Sequence, residues 1–155
     1  AKRFAVEMSR RLNVEIEVVK NPKEAVSSLD IVVTSGPILK NPTPVIEAGW
    51  LDEGAFASPV DFDSYWTGPA LRQAHRLVTD DVDQMEYYRK IGYFKNTPNA
   101  SADLGELVAG KKLGRQSSGE RTFAINLGIA LEDMATAPLI FRRAQESKIG
   151  TRLNL

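Results

Sequence analysis

Asp30-Ile31-Val32-Val33-Thr34-Ser35-Gly36-Pro37 is the stretch that decides the fold. Four successive β-branched residues with no polar alternate read as a strand covered on both faces, the habit of a parallel sheet. Ser35-Gly36-Pro37 then ends it. On its amino side, Asn21, Pro22 and Glu24 stand in the order of an N-cap, a first-turn proline and a third-position acid, and predict a short helix through Ala25, Val26 and Leu29. Earlier still, Val14, Ile16 and Val18 alternate with Glu15 and Glu17, the period of a strand with one wet face and so of an edge strand. Ala1, Phe4, Ala5, Met8 and Leu12 recur at helical steps opposite Lys2, Arg3, Glu7, Arg10 and Arg11, predicting a helix with one buried face that Asn13 stops.

On the carboxyl side, Asn41-Pro42-Thr43-Pro44 is an extended loop, and 45–51 reads as a helical turn or two carrying Trp50 inward. Residues 55–58 make a third strand that Pro59 ends, with Pro59 to Asp63 as the loop at its carboxyl end. A short helix lies near Ala70 and Leu71, a fourth strand at 75–79, and Asp80 is expected to cap a helix carrying Val82, Met85, Tyr88 and Ile91. A loop at 96–99, a brief helix at 104–108, a polar turn at 110–119 and a fifth strand at 122–127 follow. The last helix spans 129–147, with Ala130, Met134, Ala137, Ile140, Phe141 and Ala144 in one stripe and Gly150 closing it. Strands alternating with helices over the whole length make an α/β domain with a mostly parallel sheet flanked by helices. Ligands in such sheets sit beyond the carboxyl ends of the strands, so the loops at 35–37 and 59–63 are where a site belongs.

Composition narrows the function. The chain has 155 residues, with 20 Lys+Arg against 20 Asp+Glu, one His, no Cys and 43% hydrophobic residues. Without cysteine there is no thiol chemistry, disulfide or thiolate zinc site. Without a cationic excess, nucleic acid is not the expected partner. No apolar run reaches the ~18 residues of a membrane span, and the amino terminus does not read as a secretory leader, so the expected location is the cytoplasm.

Asp61 and Asp63 flank Phe62 at a strand end, where a partly desolvated carboxyl could act as acid or base; the same spacing also suits two solvated loop acids. Asp80, Asp81 and Asp83 lack the glycine and distal glutamate of a calcium loop and read as acids at a helix start. His75 has no second histidine or carboxylate at ligand spacing, and no metal site is expected. Ser117-Ser118-Gly119 could bind an anion through backbone donors but reads as an ordinary turn, and Tyr87, Tyr88, Tyr93 and Phe94 are expected to pack around one helix.

Four segments carry a resemblance: EAVSSLDIVVTSGP, VIEAGWLDEGAFASPVDFD, LGELVAGKKLGRQSSGERTFAINLGIALEDMATAPLIFRRA and SKIGTRL. In this order they resemble the carboxyl-terminal part of the ornithine cyclodeaminase/mu-crystallin family. The pieces from Leu104 to Thr122 and from Leu127 to Asp133 are the most specific. The resemblance implies a partial Rossmann-like fold that takes NAD or NADP, with no cofactor at all as the alternative for so short a chain. It further implies a small amino-acid or imine ligand and a homo-oligomer. Asp63 falls where the family has its catalytic aspartate, and Thr34, Ser35 and Gly36 match the turn that lines the dinucleotide site. Asp61 and Asn126 stand at further cofactor-side positions, where the family commonly has Gly and Ser. Thr67 falls where a basic residue is common.

Set against that family, the chain is expected to start on the helix after the glycine-rich turn, without the first strand–helix–strand unit and the preceding substrate domain. The expectation is therefore one domain, with 1–128 a truncated dinucleotide-binding part and 129–155 a terminal helix and tail, without independent catalysis. The alternatives are a piece of a longer or complemented cyclodeaminase, dehydrogenase or ketimine reductase, and a binding module that reuses the remaining cleft. In the usual 3-2-1-4-5-6 strand order, two central strands would be missing between 14–19 and 31–34. The flanking strands must then close by roughly 10–15 Å or leave open edges. A rearranged smaller sheet or an intimate homo-oligomer is expected.

Overall fold

The computed structural model describes residues 1–151 and 153. Arg152 of the SKIGTRL segment, and Asn154 and Leu155 of the 129–155 tail, lie outside the described residues. Five strands, β1 (Ile31–Thr34), β2 (Phe56–Pro59), β3 (Arg76–Thr79), β4 (Ala102–Asp103) and β5 (Thr122–Ile125), form one sheet in the order β1-β2-β5-β3-β4. Every pairing is parallel, with Val32 opposite Ala57, Ala57 opposite Phe123, and Leu77 opposite Phe123. The helices are α1 (Lys2–Leu12), α2 (Gly68–Leu71), α3 (Val82–Lys90), α4 (Leu104–Val108) and α5 (Ala130–Glu146). No helix of the described residues is long and apolar enough to cross a membrane.

Side chains alternate across the sheet, so each strand serves two layers. Val32, Ala57, Leu77, Phe123 and Ile125 face a layer built from Trp66, Leu71, Met85 and Phe94, which belong to α2, α3 and the loops around them. Val78, Ala102, Ala124 and Phe56 face the opposite way, against Leu104 and Leu107 of α4. Thr67 opens α2 by accepting the Ala70 amide, and Asp103 opens α4 by accepting the Glu106 amide.

Five local expectations need correction. Residues 14–19 form no strand: nothing among the described residues pairs with them, and a period of two without a ladder neighbour leaves the backbone irregular. Residues 21–28 keep the capping bonds, Asn21 Oδ1 accepting the Glu24 amide at 3.0 Å and Glu24 Oε2 accepting the Lys20 amide at 3.0 Å. They form only turns, stopped at Ser28 in the left-handed region. β1 is covered on one face only; Val32 is buried while Ile31 and Val33 are 64% and 60% exposed. Asp81, not Asp80, caps α3 by accepting the Gln84 amide at 2.8 Å. The apolar stripes of α1 and α5 are mostly bare, with Ala5 the one buried residue of α1 and none buried in α5.

Candidate functional site

The loops that leave β1, β2, β3 and β5 share the carboxyl edge of the sheet, and three buried aspartates stand on it: Asp61, Asp63 and Asp80. Two of them are consumed by the fold. Asp61, fully buried, follows β2 and staples the turn after β1: its Oδ1 accepts the Thr34 hydroxyl at 2.7 Å and its Oδ2 accepts the Gly36 amide at 3.0 Å. Asp80 follows β3 and does the same for the turn after β5, its carboxylate accepting the Leu127 amide at 2.9 Å and the Gly128 amide at 2.7 Å. Backbone amides left unpaired at a strand end would be costly once buried, so these carboxylates complete the edge.

Asp63 is different. Phe62, between the two site aspartates, has a φ of 61°. This left-handed backbone is unfavourable for a bulky residue and turns the chain so that Asp61 and Asp63 point to different places. The strained residue is held by rings, with Phe62 4.8 Å from Phe94, 5.0 Å from Tyr88 and 5.7 Å from Tyr93 between centroids. Asp63 thus lines a cavity of 190 Å³ whose walls include Trp66, Phe94, Lys40 and Lys95.

The Asp63 carboxyl is 7% exposed and accepts one side-chain hydrogen bond, from the Thr97 hydroxyl to Oδ2 at 2.8 Å. Burial pushes its pKa above the ordinary aspartate value, with the Thr97 bond and the Arg89 charge opposing and the Asp61 charge adding. Arg89 also shapes the loop that carries Thr97, donating to the carbonyls of Phe94 at 2.7 Å and Thr97 at 2.8 Å. A buried carboxyl that lines a small cavity, with a raised pKa and one side-chain hydrogen bond, can bind a cation or exchange a proton.

Of the residues singled out from the sequence, Thr34, Ser35, Gly36 and Asp61 come together with Tyr65 around a recess of 230 Å³. The Thr34 hydroxyl is spent twice, donating to Asp61 and accepting the Trp66 indole at 3.1 Å. A side chain at Gly36 would collide with the Tyr65 ring. Asn126 lies apart, in an apolar cleft of 320 Å³ beside Arg76 and Arg115, and its buried Oδ1 has no partner. Thr67 serves as the α2 cap and donates to the Ile46 carbonyl at 2.9 Å. His75 Nδ1 accepts the Arg121 amide at 3.0 Å. Tyr88, Tyr93 and Phe94 pack as expected, around Phe62, while Tyr87 stays exposed.

Sequence reasoning missed Thr97, Arg89, Lys40 and Lys95. Thr97 lies 34 residues from the aspartate it touches, and no periodicity links a loop threonine to a distant strand end. The aromatic run around Tyr88 to Phe94 was the available signal, because it marks the packing that forces the Phe62 turn.

Residues 1–148 match the model of the ornithine cyclodeaminase/mu-crystallin family. N-((2S)-2-amino-2-carboxyethyl)-L-glutamate dehydrogenase of Staphylococcus aureus is 32% identical over 153 residues, which cover 94% of this chain and 44% of that protein. The structure of Thermococcus litoralis Delta(1)-pyrroline-2-carboxylate reductase in complex with NADH and L-proline superposes with a TM-score of 0.77 at 29% identity, covering 99% of this chain and 49% of that one. An archaeal alanine dehydrogenase dimer with bound NAD shares the fold, with a TM-score of 0.75 at 23% identity and the same 49% coverage of its chain. The chain spans about half the length of the relatives it matches.

Proposed function

The chain belongs to the ornithine cyclodeaminase/mu-crystallin family, and on that premise we propose that it supplies the amine-binding, proton-handling carboxylate of an NAD(P)-dependent reaction at an amine-bearing carbon, without being a catalyst by itself. The observation that carries this reading is Asp63, a buried carboxyl of raised pKa lining a small cavity at the carboxyl edge of a parallel sheet. A small amino acid or imine is the ligand class. Asp63 would hold its nitrogen and take up or return a proton as that nitrogen changes charge, with Thr97 fixing which carboxylate oxygen is free.

On this reading the described residues supply only part of a cradle for a dinucleotide of the kind bound in the reductase and the alanine dehydrogenase structures. The Thr34 hydroxyl and the Gly36 amide already donate to Asp61. A buried carboxylate on that turn opposes an anionic pyrophosphate, and among the described residues no glycine-rich helix start stands beside it. Asn126 Oδ1, orphaned in its cleft, is the one buried side-chain acceptor without a partner among the described residues. A binding module that uses the Asp63 cavity without redox chemistry is the second reading, favoured by the same engagement of the turn by Asp61.

Titration of NADH and NADPH into this chain, followed by nicotinamide fluorescence, tests the first reading. No saturation at micromolar concentrations is expected; micromolar binding by the chain alone would show that these residues suffice for the cofactor.

A further inference from the structure

Arg89 stands in the last turn of α3, where a basic side chain commonly caps the final helix carbonyls. It does other work here. Those carbonyls are met by the backbone that follows, Tyr87 by the Ile91 amide at 3.2 Å, Tyr88 by the Tyr93 amide at 3.0 Å and Arg89 by the Gly92 amide at 3.0 Å. The guanidinium, 24% exposed, reaches past the helix end to the segment 94–98. Its Nη1 donates to the carbonyls of Phe94 at 2.7 Å and Thr97 at 2.8 Å, its Nη2 to the Pro98 carbonyl at 3.3 Å, and its Nε to Glu86 Oε1 at 3.2 Å.

The gripped segment carries the Thr97 hydroxyl that bonds Asp63, and it puts Phe94, Lys95 and Asn96 into the wall of the Asp63 cavity. Its own backbone does little to fix it. Phe94 has a left-handed φ of 52°, Pro98 has no amide to donate, and the turn closes through a long bond from the Thr97 amide to the Phe94 carbonyl at 3.3 Å. Ring packing on Phe62 anchors Phe94, and Lys95 Nζ donates to Asn41 Oδ1 at 2.7 Å on the exposed side.

We propose that Arg89 is a positioning residue for Asp63 that acts through Thr97: by gripping the carbonyls of Phe94, Thr97 and Pro98, its guanidinium keeps the Thr97 hydroxyl on Asp63 Oδ2. This rests on Asp63 being the proton-handling carboxylate described above. A donor fixed on Oδ2 leaves Oδ1 as the oxygen that takes up and returns a proton. The planar fork suits the task, since three nitrogens meet four acceptors from two segments, whereas an ammonium has one nitrogen to share among them. Arg89 also acts by charge. Burial raises the Asp63 pKa most, the Thr97 bond and the Arg89 charge lower it, and the Asp61 charge raises it, with Lys40 and Lys95 as further cations of the cavity wall. Grip and charge can be separated, because lysine at position 89 keeps the charge and loses the fork.

The Asp63 carboxyl carbon, followed by NMR through a pH titration of the intact chain, reads the arrangement. The native midpoint is expected above the ordinary aspartate range. Thr97→Val removes the hydroxyl and should raise the midpoint by about one pH unit, the scale of a hydrogen bond to a charged group. Thr97→Ser keeps the hydroxyl and should stay at the native midpoint. Arg89→Lys should raise the midpoint nearly as far as Thr97→Val although the charge is kept, and Arg89→Gln further still. Adding Arg89→Lys to Thr97→Val should change nothing more, since the hydroxyl through which Arg89 acts is gone. A native midpoint in Arg89→Lys would show that charge alone is at work, and a lowered one that water enters beside the carboxyl. Either result, or an additive double variant, overturns the positioning role and leaves Asp63 as the acid. A native chain that titrates in the ordinary aspartate range would remove the desolvated acid itself, and the role of Arg89 with it.

Discussion

Two regions of the molecule use apolar residues of similar kind to opposite effect. Around the site, Trp66, Leu71, Met85, Phe94 and Phe123 are each 2% exposed or less and lock β2, β5 and β3 to α2, α3 and their loops. On the flanks, Phe4 of α1, Ile31 and Val33 of β1, and Met134, Ile140 and Phe141 of α5 are each 60% exposed or more. Both regions show correct periodicity. A helical or strand stripe therefore states what an element needs covered, and coverage depends on a partner surface that patterning alone does not supply.

The sharpest test sets one residue of each region against the other. Trp66→Ala should destabilise the chain by about 3–5 kcal/mol through the lost ring packing and its cavity. Phe141→Ala should change stability by no more than about 0.5 kcal/mol. Urea unfolding measures both; a Phe141 cost near that of Trp66 would mean that α5 is covered in solution and would erase the contrast. Next in size is Asp61→Ala, expected to cost about 2–3 kcal/mol because the Thr34 hydroxyl and the Gly36 amide lose a charged acceptor. A cost under about 0.5 kcal/mol would show that water replaces that staple and that the turn is free for a ligand.

Asp63 should behave in the reverse sense. Its pKa is raised on folding, so the folded chain binds the proton more strongly than the unfolded chain. Stability linked to this group is fully present below the unfolded pKa and is lost as pH rises through the folded one. Asp63→Asn keeps an acceptor for the Thr97 hydroxyl and removes the buried charge. It should therefore raise Tm at neutral pH, and the gain should shrink toward zero as pH falls to the ordinary aspartate range. Thermal scans at several pH values decide it: a lower Tm at neutral pH would mean that the ionised carboxylate is well solvated, and the site would lose its desolvated acid.

Much of this was legible in the sequence, and the gaps have physical causes. Ile31 to Thr34 and the strand after Gly54 were readable because local chemistry fixes them, through a β-branched run and a proline stop, and the helix expected at 104–108 forms there with Asp103 as its cap. Placing Asp61 and Asp63 together at a ligand edge was also readable, since parallel sheets carry their loops there. Their division into a staple and an open acid was not. It depends on the left-handed backbone at Phe62, and that depends on rings supplied from residues 88 to 94. The strand expected at 14–19 failed for a related reason: its alternation was correct, and among the described residues no ladder lies beside it.

The edge of β1 is where that missing ladder matters most, and it yields the smallest effect on folding with the clearest effect on association. β2 satisfies one side of β1, while no described strand occupies the other. Ile31 and Val33 also leave one face of the strand apolar and open, so edge and face together form a template for another chain. Self-association that grows with concentration is the expected behaviour in light scattering. The pair of substitutions Ile31→Lys and Val33→Lys should change unfolding free energy by no more than about 0.5 kcal/mol, because neither side chain touches the core. The same pair should shift the scattering mass toward the monomer, since inward-facing or edge lysines lose their hydration when two strands pair. A monodisperse monomer for the native chain would show that the bare flank is tolerated in water, and the contrast between covered and uncovered regions would then be one of packing alone, with no consequence for assembly.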